Sequence, residues 1–123
     1  MTGNLFLRTS VIILIIGMIL GIYMGMNEDF TFAPVHAHIN LAGGVLMFLA
    51  GLFYNSRPGL SSHAIGIHYA IHLLGATLLP LGIYGSLTKA TWFVPVVSAG
   101  SVLTLIAMLF FAVMVFLGTK KSA

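Results

Sequence analysis

The chain contains no cysteine, which excludes a disulfide framework and thiolate ligation, so any metal must be held by histidine, methionine, asparagine, tyrosine or backbone oxygen. Charge is almost as scarce. Only 6% of the 123 residues are charged and only two are acidic, against about 25% charged residues in an ordinary soluble domain. A chain that is 59% hydrophobic, with a mean hydropathy of +1.11, cannot cover itself for water and belongs to the membrane class. No acidic residue falls within an apolar stretch, which argues against a carboxylate proton relay, a sodium site or a hard-cation transporter. The net charge of +3 sits in short loops and tails, where it reports orientation and forms no nucleic-acid patch. No nucleic-acid partner is expected.

What is present is four apolar runs, each near the ~20 residues that cross a bilayer as a helix. They cover about 5–26, 34–54, 61–86 and 92–117, leaving nothing for a soluble domain. The fold class is therefore all-α, a polytopic membrane protein whose residues 1–123 make one transmembrane domain. Short breaks require antiparallel neighbours, hence an up-down-up-down bundle. The first run follows Arg8 and resembles a secretory signal. No small-residue cleavage site follows at Tyr23-Met24-Gly25-Met26, however, and three further spans come after it, so it reads as a retained helix. Arg8, Arg57, Lys120 and Lys121 fall on one side, and Lys89 with Glu28 and Asp29 on the other. That bias places both termini in the cytoplasm of a bacterial-type inner (plasma) membrane. Tyr23, Tyr54, Tyr84 and Trp92 lie near span ends, as interfacial aromatics do.

The chemistry concentrates in histidine. Pro34 suits the first turn of the second helix, where its missing N–H is not needed. His36, His38 and Asn40 follow within two turns, and polar groups at that depth normally face a bundle interior, a cavity or a cofactor. His36 and His38 diverge by about 200° on a helix, so they look at two different places and cannot share a metal ion. Gly43 and Gly44 remove bulk from the next turn, permitting close helix packing or the flat edge of a large ligand. On the third helix His68 and His72 stand at i, i+4 and share a face, a spacing that suits one metal or two adjacent acceptors. His63 lies five residues earlier, at the helix end, and reads as interfacial. Asn40 is a donor for a propionate, an imidazole or another helix, and Tyr69 is a buried donor or packing. Pro80 predicts a kink in the third helix, whereas Pro95 falls harmlessly in the first turn of the fourth. Gly75 and Gly82 make the third helix the place for close approach to something bulky. Neutral imidazoles without carboxylates suit heme iron or copper. The seven methionines read as space-filling.

The run His36-Ala37-His38-Ile39-Asn40-Leu41, entering a membrane helix, resembles the heme-ligating helices of the heme-copper oxidase catalytic subunit, particularly its nitric-oxide-reductase and cbb3-type branches. The resemblance covers about one helix of four. It implies His38 on a low-spin heme through a His-x-Asn-Leu motif, or His36 and His38 facing two hemes through a His-x-His motif. His68 and His72 are poorly matched counterparts of copper ligands, because that family uses an adjacent pair. The family's twelve helices form three arcs of four, so a four-helix relative implies a homotrimer of twelve helices, placing His36 and His38 toward two different interfaces or pockets. Without intramembrane carboxylates the resemblance does not extend to proton-pumping oxygen reduction.

The expectation is a heme b-binding membrane protein with His38 as principal ligand, joined by His72 or by a neighbouring subunit's histidine, with His36 and Asn40 near the cofactor. Bis-imidazole ligation suits electron transfer with a redox partner protein, and a single imidazole suits dioxygen or nitric oxide chemistry as an oxidoreductase. Two other readings stay open: a copper site at His68 and His72, and an accessory subunit whose histidines only hydrogen-bond between helices.

Overall fold

A computed structural model describes residues 3–120. Lys121, one of the four residues used to orient the chain, lies outside them. Four helices form: α1 (Asn4–Asn27), α2 (Ala33–Asn55), α3 (Ser62–Leu87) and α4 (Phe93–Thr119), each long and apolar enough to cross a membrane. They begin and end within a residue or two of the sequence expectation, because apolar length decides where a spanning helix must be. The chain is thus a multi-pass α-helical membrane protein. Antiparallel succession puts the start of α1, the end of α2, the start of α3 and the end of α4 at one membrane face, here called the Arg57 face.

Local chemistry sets the turns. α1 stops where Glu28 adopts a left-handed backbone, φ 51°, and its N–H returns to Gly25 O and Met24 O. The next turn is tied by Asp29, whose Oδ1 accepts from the Thr31 amide at 3.0 Å and from its hydroxyl at 2.6 Å. These two donors hold the exposed Asp29 carboxyl below its usual range. Pro34 then stands in the first turn of α2. Ser61 opens α3 by accepting from the Ala64 amide. Pro80, where a kink is expected, lies inside α3, which runs on to Leu87.

Small residues set how the helices pack, as they do where lipid supplies no hydrophobic drive between helices. Gly43 and Gly44 face Ile13 and Leu14 of α1, so of the two roles open to this pair it serves close packing. The bulky neighbour approached by Gly75 and Gly82 is α4: they lie against the backbones of Thr104 and Val97, while Gly100 returns the contact to Leu78 and Leu79. Toward the Arg57 face a core of Phe6, Met47, Ala50, Tyr54, Ile65 and Met114 joins all four helices. Exposed rows such as Ile12, Ile15 and Ile19 of α1 and Leu105, Leu109 and Phe116 of α4 present apolar surface outward, as lipid-facing helices require.

α2 is not α-helical throughout. Between Ile39 and Val45 it widens to a π-helical turn, and the Leu46 N–H reaches back five residues to Leu41 O. The bond that Leu46 would give Ala42 O in a regular helix is therefore missing, which frees a carbonyl near mid-helix.

Candidate functional site

The five histidines fall into four situations. His63 is exposed at the first turn of α3, on the Arg57 face, where an interfacial residue belongs.

His36 and Asn40 form the second group, directed at α1. The His36 Nδ1–H donates to Gly17 O at 2.7 Å, and a carbonyl can only accept, so Nδ1 carries the proton and Nε2 the lone pair. The Asn40 amide then donates to Nε2 at 3.3 Å. Gly17 and Gly21 provide the seat, since a Cβ at Gly17 would overlap the Asn40 side chain and one at Gly21 would lie 2.7 Å from His36 Cε1. Asn40 Oδ1 is buried and has no donor among the described residues. Of the roles open to Asn40, its amide serves an imidazole.

His68 and His72 form the third group, in the interior. His68 is 0% exposed, with Phe110 and Phe111 stacked at ring separations of 5.7 and 5.5 Å and Phe6 at 5.1 Å. Its Nδ1 lies 2.7 Å from the Tyr54 hydroxyl, and its Nε2 lies 3.4 Å from His72 Nδ1. His72 Nε2 lies 2.8 Å from Ala42 O, the carbonyl freed by the π turn. With neutral rings this row has one direction. Ala42 O accepts, so His72 Nε2 carries hydrogen and its Nδ1 accepts from the His68 Nε2–H. His68 Nδ1 in turn accepts from Tyr54. All four ring nitrogens are thereby engaged by the protein.

His38 stands apart. Its Nδ1–H donates to Pro34 O at 2.7 Å, within its own helix, and its ring is only half-buried. Nε2 is left with a lone pair and no partner among the described residues. A histidine fixed at one nitrogen by a carbonyl is oriented to offer the other to a metal. The divergence of His36 and His38 expected from their spacing is thus realised, one ring turned to α1 and the other held against its own helix.

These arrangements bear on ligation in different degrees. Among the described residues no three histidine, aspartate or glutamate side chains cluster as a metal-ion site. The donor chemistry at His38, one neutral imidazole lone pair backed by a carbonyl, is of the kind that would hold a heme iron. His72, expected as its same-chain partner, and His68 direct both nitrogens into the protein. A groove of about 340 Å³ lined by Ile13, Ile16, Val35, Ile39, Pro80 and Leu81 includes no histidine.

Three participants escape a reading of the histidines alone. Tyr54, expected at the interface, is 2% exposed and points its hydroxyl to His68. Phe6 packs on Tyr54, His68, Tyr69 and His72, and Gly17 seats Asn40. The i, i+4 spacing of Gly17 and Gly21 is a small-residue signal for such a seat. Tyr69 is both donor and packing: its hydroxyl lies 2.7 Å from Thr9 Oγ1 and its ring stands edge-on to Phe6.

No protein family, curated protein or solved structure matches the chain.

Proposed function

We propose that this four-helix membrane protein binds heme b through His38 and serves diatomic-gas chemistry as a homo-oligomer. The observation that carries the reading is the His38 bond to Pro34 O, which fixes the ring and leaves Nε2 with a lone pair and no partner among the described residues. The motif around it, His36-Ala37-His38-Ile39-Asn40-Leu41, supports the same assignment through its resemblance to the heme-ligating helices of heme-copper oxidases.

The number of available imidazoles supports one of the two kinds of heme chemistry. Among the described residues, and apart from His63 at the exposed first turn of α3, one ring nitrogen is open, His38 Nε2, because His36, His68 and His72 are held by Gly17, Asn40, Tyr54, Ala42 and each other. In the proposed twelve-helix trimer, one heme per chain then receives one imidazole. Held by His38 alone, such a group would supply a binding site for dioxygen or nitric oxide. The role of this chain's residues is to orient: Pro34 O keeps the His38 proton on Nδ1, and the exposed α2 neighbours Leu41 and Val45 present apolar surface on the same helix. Arg8, Arg57 and Lys120 against Lys89 favour cytoplasmic termini in a bacterial-type inner membrane.

The test is heme content after purification with ample heme, measured for His38→Ala, His36→Gln and His72→Gln. Loss of a sole axial ligand should lower heme occupancy at least about tenfold, whereas the other two variants should keep it. Retention of heme by His38→Ala contradicts the assignment. Native mass spectrometry reads the number of copies.

A further inference from the structure

The row Tyr54, His68, His72 is built to pass a proton. We propose that it is an imidazole relay carrying protons from the Arg57 face to His72 near the middle of the membrane. The proposal is independent of heme binding and involves none of the groups around His38.

Position is the first argument. His72 lies ten residues along α3 from Ser62, which is about 15 Å of helix rise, or half of a hydrocarbon core roughly 30 Å thick. His68 lies between, and Tyr54 is at the end of α2. Tyr54 also lines a pocket of about 270 Å³ at the Arg57 face, together with Asn55, Arg57, Ser62 and Ile65. The row thus begins beside a pocket at the Arg57 face and ends at depth.

Direction is the second argument. Each donor points inward, from the Tyr54 O–H to His68 Nδ1, from the His68 Nε2–H to His72 Nδ1, and from the His72 Nε2–H to Ala42 O. Tyr54 is 2% exposed, so entry requires water from the pocket to reach its hydroxyl; a hydronium ion there can give a proton to the Tyr54 oxygen while that oxygen releases its own to His68 Nδ1. The His68 Nε2 proton then moves to His72 Nδ1. Water is left in the pocket, Tyr54 is again neutral, His68 is neutral with its proton on Nδ1, and His72 is an imidazolium whose Nε2–H still binds Ala42 O. No bond to carbon changes and no electrons move. The 3.4 Å link between the rings is the longest and sets the slow hop. Return of the proton by the same path restores the starting tautomers.

Insulation is the third. The rings facing His68 are Phe6 from α1, Tyr54 from α2, His72 from α3, and Phe110 and Phe111 from α4, with Tyr69 packed on Phe6 beyond them. Tyr54, Tyr69 and the two imidazoles are the titratable members, and Tyr69 turns its hydroxyl to Thr9. Aromatic walls confine the proton to one row. The π turn supplies the terminal acceptor, since Ala42 O is open only where the helix widens.

A purely architectural network would have the same bonds, so the test reads proton movement. Histidine labelled with ¹⁵N is incorporated into the full-length protein in lipid bilayers, and exchange of the His68 and His72 ring protons with water is measured by solid-state NMR. The relay predicts that both rings carry hydrogen on Nε2 and that the His72 ring protons exchange faster than the backbone amides around them. Tyr54→Phe should slow that exchange at least about tenfold, the rate cost of roughly one hydrogen bond missing from the path, with α3 amide shifts unchanged. Ring protons of the unaltered protein that exchange no faster than adjacent amides overturn the relay without any variant. So does a Tyr54→Phe protein in which exchange persists, or a His68 that carries its proton on Nδ1 at rest.

Discussion

Replacing Gly100 with alanine sets two effects of known size against each other. Alanine is favoured over glycine inside a helix by about 0.5–1 kcal/mol. At Gly100, however, a Cβ would be driven into the α3 backbone, coming within 2.6 Å of Leu78 C and Leu79 Cα. Ordinary contact needs 3.4 Å or more, so α3 and α4 must part by roughly 1 Å, a gap that forfeits a quarter to a half of the dispersion energy of the atoms involved. Because backbone cannot rotate aside as a side chain would, the expected overpacking cost is about 1–3 kcal/mol, and packing wins. Gly25 is the internal control, since a Cβ there meets nothing within 4 Å, and Gly25→Ala should be neutral or slightly stabilising. Unfolding in mixed detergent micelles, followed by circular dichroism, compares the two variants with the parent protein. Equal stability for Gly100→Ala and Gly25→Ala would refute the close α3–α4 packing.

Two further outcomes follow from the polar groups. His72→Leu leaves Ala42 O and the His68 Nε2–H without partners, and should cost roughly 1–3 kcal/mol in the same unfolding assay, whereas His63→Gln, at an exposed position, should cost nothing measurable. The Asp29 carboxyl is lowered from its ordinary 3.8 by the Thr31 hydroxyl and amide, so the tie it gives the α1–α2 turn is complete above pH 3.8 and lost as pH falls through the lowered value. Thr31→Val should move the Asp29 titration back up, read from its carboxyl carbon by NMR.

Parts of this arrangement were open to inference from sequence for simple physical reasons. Spanning helices must satisfy their backbone internally over a fixed thickness, so α1 to α4 follow from apolar length. The i, i+4 spacing of His68 and His72 put them on one face, and the spacing of two turned His36 from His38. The π turn was not legible, because the choice between a four- and a five-residue bond at Leu46 is made by packing against α1 and by a donor, His72, on another helix. The inward turn of Tyr54 was hidden for a related reason: a tyrosine at a helix end suits the interface equally well until a partner such as His68 is placed beneath it.

The central claim, that His38 holds heme b, is tested most directly by the visible absorption spectrum of the detergent-purified protein, as isolated and after dithionite. The account predicts a Soret band that is lost in His38→Ala and shifts when nitric oxide or carbon monoxide is added to the reduced protein. A featureless spectrum after expression with ample heme would contradict it.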